Sequence, residues 1–161
     1  MRICMEPIGY VEEGLPEDRG RSRYQVDSVI RVKDKYARGL EGLEGYSHAF
    51  IIYWMHRAPE PMLKWRPWRR TEYPEVGVFA TRFPGRPNPI GLSLVEVLRV
   101  EPPRLVVRGL DAWTGTPVLD VKPYDYHDVA CCPRVPGWVR DRWEEDRDRY
   151  AREAPWMGPR C

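Results

Sequence analysis

The sequence predicts a mainly β fold: a small closed antiparallel β-barrel of about six or seven strands, followed by a C-terminal helix. Three observations carry this. Apolar residues fall in short runs that alternate with polar residues or are nearly continuous, which is the patterning of strands. Turn signals rich in glycine and proline separate the runs at regular spacing, as in antiparallel barrels. Sustained helical periodicity is confined to the stretch after Pro136.

Ile3 to Val11 reads as a first strand ending near Gly9, and Glu12 to Arg23 as a polar loop. Val26, Ser28, Ile30 and Val32 alternate with Gln25, Asp27, Arg31 and Lys33, a strand with one face buried. Asp34 to Gly45 is limited to a short helix or turn by glycines at 39, 42 and 45. Tyr46 to His56 is a nearly continuous apolar strand, expected to be buried on both faces or at an interface. Arg57 to Tyr73 is a proline-rich excursion. Val76 to Thr81 and Leu92 to Val100 read as strands flanking a stiff loop, and Arg104 to Gly109 and Thr116 to Val121 complete the set. Pro123 to Pro136 is irregular. Gly137 to Ala154 is helical, with Val139, Trp143, Tyr150 and Ala154 on one stripe and Glu145–Arg149 and Asp148–Arg152 as i,i+4 pairs. Residues 1–135 are expected to form the barrel, and 136–161 a helix and tail packed on the same domain.

Composition removes several classes. With 161 residues one domain is the default, and a formal net charge of +2 lacks the basic footprint of many nucleic-acid binders. The longest apolar run, Ala49 to Met55, is far short of the ~20 residues of a membrane helix. No signal-peptide core opens the chain, so a cytoplasmic, non-membrane protein is expected. Cys4, Cys131, Cys132 and Cys161 lack C-x-x-C spacing, which argues against a metal site and favours reduced cysteines with packing roles. No G-x-G-x-x-G fingerprint is present, so a Rossmann-type fold is not expected.

The chemistry concentrates in Gly77 to Ser93, GVFATRFPGRPNPIGLS. Pro84, Pro87 and Pro89 fix φ and remove donors, and the stiffened loop presents Arg82, Arg86 and the amide of Asn88. Cations and an amide at set positions suit an anionic or polar ligand. In the excursion, Trp65 and Trp68 interleave with Lys64, Arg66, Arg69 and Arg70, which suits unstacked RNA bases and phosphates, or a cover for the barrel mouth or a dimer partner. Asp120, Lys122 and Tyr124 alternate along one strand and share a face, as an acceptor-orienting set or as a structural ion pair.

ATRFPGRPNPIGLSLVEV resembles the signature of the tRNA methyltransferase family called TrmO or TsaA-like. Gly39 to His56 and Gly109 to Tyr124 resemble two further blocks of that family, in the same order, and together the blocks cover roughly half the chain. The resemblance implies a β-barrel that binds S-adenosylmethionine and methylates N6 of threonylcarbamoyladenosine beside the tRNA anticodon. It also implies a homodimer with the cofactor site close to its interface. His56, Arg82, Leu92, Leu110 and Asp111 match family cofactor positions, with Arg82 suited to the cofactor carboxylate. Asp120, Lys122 and Tyr124 then become catalytic candidates, Arg86 and Asn88 acceptor contacts, and Arg69 and Arg70 tRNA contacts. The chain departs from the family's usual turn after the first strand, carrying Glu12–Glu13–Gly14, and lacks the further C-terminal domain of many bacterial members. Those departures keep open a second reading, a non-enzymatic S-adenosylmethionine- or RNA-binding module, or a methyltransferase with another acceptor.

Overall fold

The computed structural model describes residues 3–16 and 22–157. In chain order the strands are β1 (Gly9–Glu13), β2 (Asp27–Val32), β3 (His48–Trp54), β4 (Lys64–Trp65), β5 (Val76–Gly77), β6 (Ile90–Glu101), β7 (Arg104–Arg108) and β8 (Pro117–Pro123). Six of them close into an antiparallel barrel in the order β1-β2-β7-β6-β3-β8, and β4 and β5 form a separate ribbon. Closure leaves the barrel no free edge, which is the expected solution for many short strands.

Alternation fills the interior. Val11, Ile30, Val32, Ala49, Ile51, Val95, Leu105, Val107 and Val118 point inward and are buried. β3 is buried only at every second residue, so the expectation of burial on both faces is corrected: Phe50, Ile52 and Trp54 lie half-exposed on the outer face. Tyr53 faces Gly91 across the β3–β6 ladder, and a Cβ on Gly91 would stand 2.2 Å from the tyrosine ring. Only glycine lets that ring lie flat against the strand.

Three further expectations are corrected. The first strand begins at Gly9 rather than Ile3; Pro7, which has no N–H to donate, lies just before it, and Ile3 and Met5 are exposed. Of Val76 to Thr81 only two residues are strand, and Val78–Ala80 form a 3₁₀ turn with Phe79 78% exposed. This run has no barrel strand to pair with. Cys132 is disulfide-bonded, so it is not a reduced packing residue, whereas Cys4 and Cys131 are exposed free thiols. Cys161 lies outside the described residues.

Helix α1 (Gly137–Glu153) lies where expected, and its aromatic stripe packs: Trp143 stacks on Tyr150 at 4.8 Å, and Tyr150 meets Tyr24 edge-on. Its charges pair differently from the expected pattern. Arg149 binds Asp146, and Glu145 binds Arg142 and Arg70, because the excursion brings a cation to the helix that no local spacing could reveal.

Candidate cofactor and acceptor site

A polar network occupies one mouth of the barrel. The Tyr53 hydroxyl donates to the Asp111 carbonyl at 2.8 Å and lies 3.3 Å from Ser93 Oγ, which in turn accepts the Asp111 N–H at 3.2 Å. Arg23 pairs with the Asp111 carboxylate at 3.0 Å and donates to the Tyr24 hydroxyl at 2.6 Å. Tyr24 donates onward to Met157 Sδ and packs edge-on against Trp156. Burial pushes the Tyr53 phenol above its ordinary range, so it stays a neutral donor. Burial also works against the Arg23 charge, but Tyr24 and Asp111 beside it outweigh this and raise its pKa.

Other segments converge on the same mouth. Leu15 bridges to Trp113 and its N–H donates to the Ala112 carbonyl, while the Arg57 guanidinium sits 5.5 Å from the Trp113 ring centre. His56 is exposed just past the end of β3, one residue before Arg57. Arg82 is exposed, and its charge slightly favours the ionised form of the Tyr53 phenol. Leu92, 50% exposed, stands on the outer rim next to Ser93. Asn88 is exposed on the same loop.

Four sequence assignments change character here. Leu110 is 0% exposed and belongs to the core, because the chain turns inward after Gly109 (φ 96°). Its side chain cannot wall an open adenine pocket; only its backbone remains for that. Arg86 donates to the carbonyls of Phe83 (2.9 Å), Val78 (3.2 Å) and Thr81. It is a staple that closes the loop on itself, not an open cation for an acceptor carboxylate. Arg70 is held by Glu145 through two bonds of 2.6 and 2.8 Å and so is neutralised internally, while Arg69 is exposed. Tyr124 is engaged in packing: its N–H donates to the His48 carbonyl and its ring meets His48 and Phe50, the residue opposite Lys122.

Asp120 and Lys122 do come together, at 2.9 Å, and hydrogen bonding to Asp120 raises the Lys122 pKa. A register shift between β3 and β8 sets Asp120 opposite Ile52, whose other partner is Leu92. Leu92, Ile52 and Asp120 thus form one row across the outer face, and two strand spacings put Leu92 and Asp120 about 10 Å apart. This row joins the exposed Leu92 to the Asp120–Lys122 pair of β8.

Sequence reasoning missed Tyr53, Ser93, Arg23 and Trp113. A serine at an inward position of an apolar strand was the one available signal. If the network holds the 110–112 turn, Tyr53→Phe should cost about 1 kcal/mol of stability, or roughly 2–4 °C in Tm. Its cofactor affinity should also fall severalfold, which thermal melts and calorimetry on the same samples would read. An unchanged affinity beside a lowered Tm would restrict Tyr53 to packing.

A family model described as the tRNA-methyltransferase O N-terminal domain matches residues 10–129. The chain belongs to this family. A relative from Archaeoglobus fulgidus, named S-adenosyl-L-methionine-binding protein, is 42% identical over 139 residues, covering 84% of this chain and 98% of that protein. The tRNA (adenine(37)-N6)-methyltransferase of Mus musculus is 37% identical over 132 residues, covering 76% of this chain and 31% of its own. A crystal structure of TrmO from Pseudomonas aeruginosa superposes with a TM-score of 0.68 at 33% identity, over 83% of this chain and 61% of that one. The TrmO-like signature Ala80 to Val97 spans the loop and first half of β6. Among the described residues no cluster of acidic, histidine or cysteine side chains could hold a metal, and no helix is long and apolar enough to cross a membrane.

Proposed function

We propose that this TrmO-family chain transfers the methyl group of S-adenosylmethionine to N6 of threonylcarbamoyladenosine in tRNA. Family membership supports the coarser statement, a tRNA methyltransferase that uses S-adenosylmethionine. The row Leu92–Ile52–Asp120 with Lys122 beside it is the observation that carries the finer one.

In this reading Arg82 pairs with the cofactor carboxylate, while His56, Leu92, Asp111 and the backbone of Leu110 shape its nucleoside end. The bound cofactor supplies an electrophilic methyl on sulfonium sulfur. N6 attacks that carbon as the carbon–sulfur bond breaks, S-adenosylhomocysteine leaves, and the N6 proton passes to the Asp120 carboxylate. A carbamoyl substituent makes that N–H more acidic than a plain adenine amine, which brings a carboxylate base within range. Lys122 pairs with the threonyl carboxylate, a role that Arg86 is too committed to fill. Holding nitrogen and methyl in line supplies most of the acceleration.

The apolar residues Ile90 and Leu92 are exposed at the start of β6, and Phe79 and Leu63 are also exposed. An apolar surface of this sort marks an interface, and a second copy of the chain is the occupant expected here, closing the cofactor site. Sedimentation at micromolar concentration should give twice the chain mass; a monomer would remove the second copy from the site. The reaction itself is tested by transfer of labelled methyl from S-adenosylmethionine to tRNA with and without the threonylcarbamoyl group. Cofactor binding with no transfer to either would favour the non-enzymatic module.

A further inference from the structure

We propose that Trp68 is a stacking platform for an unpaired base of the RNA substrate, on a surface that loop 57–73 and helix α1 build together; this rests on the tRNA reading above. Trp65 is already occupied, with one face stacked on Phe83 at 3.7 Å and the Arg69 guanidinium 5.5 Å from its ring centre. Trp68 is 52% exposed. Tyr73 and Trp138 meet it at 70° and 67°, each with ring centres 5.9 Å away, so neither lies flat against it. These contacts fix the ring's orientation; the Arg142 guanidinium lies over the ring at 5.7 Å, and the side away from it is the one proposed for a planar partner.

The backbone supports the same assignment. Trp68 and Arg69 have φ of 50° and 55°, two successive non-glycine residues in the left-handed region. Strain of this sort persists only where the surroundings over-determine it, and it concentrates at functional positions. Here the surroundings are explicit. Arg66 donates to the Tyr73 carbonyl, and Arg70 is clamped by both oxygens of Glu145 on α1. The two arginines that do not reach solvent freely are therefore the ones that hold the tryptophan out.

Charge selects the partner. Lys64 and Arg69 are exposed along the loop, whereas Arg142, 5.7 Å from the Trp68 ring centre, is already paired with Glu145 and Asp146. Cations around an exposed indole suit the phosphates and bases of a single strand, since every base offers a π-face. The Met62 N–H donates to the Gly85 carbonyl, and with the Trp65–Phe83 stack this fastens the loop to the Arg82 segment. Trp68 is thereby carried on the same fastened unit as the motif loop, where a base near the acceptor nucleotide is proposed to sit.

The probe is a tRNA anticodon stem–loop RNA, offered to the full chain and to Trp68→Ala and Trp68→Tyr. Trp68→Ala should weaken binding about tenfold or more, and Trp68→Tyr should keep most of it. S-adenosylmethionine affinity should be the same in all three. An abasic sugar walked through the RNA loop should reveal one position at which wild type and Trp68→Ala bind equally, which a merely structural role would not produce. Equal RNA affinity of wild type and Trp68→Ala, or an unchanged difference at every abasic position, would overturn the proposal. A drop in sedimenting mass for Trp68→Ala without loss of RNA binding would give the surface to a second copy of the chain instead. A wild type that binds no RNA would overturn the tRNA reading as well, whereas a wild type that methylates tRNA beside an unimpaired Trp68→Ala would overturn this inference alone.

Discussion

Transfer RNA carrying threonylcarbamoyladenosine is expected to accept the methyl group about 10⁴-fold faster than the same tRNA with plain adenosine. When the threonyl carboxylate is missing, Lys122 under the docked RNA loses that proposed partner and keeps only Asp120. The plain amine also gives up its proton less readily to Asp120. Lys122→Met should therefore lose most of the transfer while keeping its affinity for S-adenosylmethionine, because its proposed partner is on the acceptor. The measurement is labelled-methyl transfer to both tRNAs by wild type and variant. Comparable labelling of the plain tRNA would sink the acceptor assignment, and a fully active Lys122→Met protein would take Lys122 out of it.

Arg82→Ala should bind S-adenosylmethionine at least tenfold more weakly, since a charge-assisted pair contributes about 1.5–3 kcal/mol. Its melting temperature should not move, because Arg82 is exposed. Arg86→Ala should behave in the opposite way. Three carbonyls of the 78–83 segment lose their donor, so a loss of about 1–3 kcal/mol and a lowered Tm are expected, with any fall in activity secondary to the loop's collapse. Calorimetry and melts on the two variants separate ligand from staple. Equal cofactor affinity of wild type and Arg82→Ala would remove Arg82 from the site.

The contrast between these two arginines shows how far the chain could be read before its fold was known. Both lie on one proline-stiffened loop, four residues apart, and both are arginines of the same motif. Nothing local distinguishes them. What separates them is the 3₁₀ turn at Val78–Ala80, which aims the Val78 and Thr81 carbonyls at Arg86 and leaves Arg82 outward. The same limit explains Arg70: its bidentate partner Glu145 is 75 residues away.

The sequence by itself determined most strands of the barrel, the terminal helix and the motif-bearing loop, though not the start of β1 or the turn at Val78–Ala80. Period-two and 3.6-residue patterns are properties of neighbouring residues, and turn residues act on their own backbone. It also marked Asp120 and Lys122 as sharing a face, for the same local reason. Only the tertiary structure decided which polar groups meet. Pairing of β3 with both β6 and β8 and the register shift beside Tyr53 set Asp120 in line with Leu92, and Arg23 reaches Asp111 across 88 residues. Ion pairs and hydrogen bonds form between whatever groups the packed strands bring within about 3 Å, and that adjacency is a consequence of barrel closure rather than of any residue's neighbours in the chain.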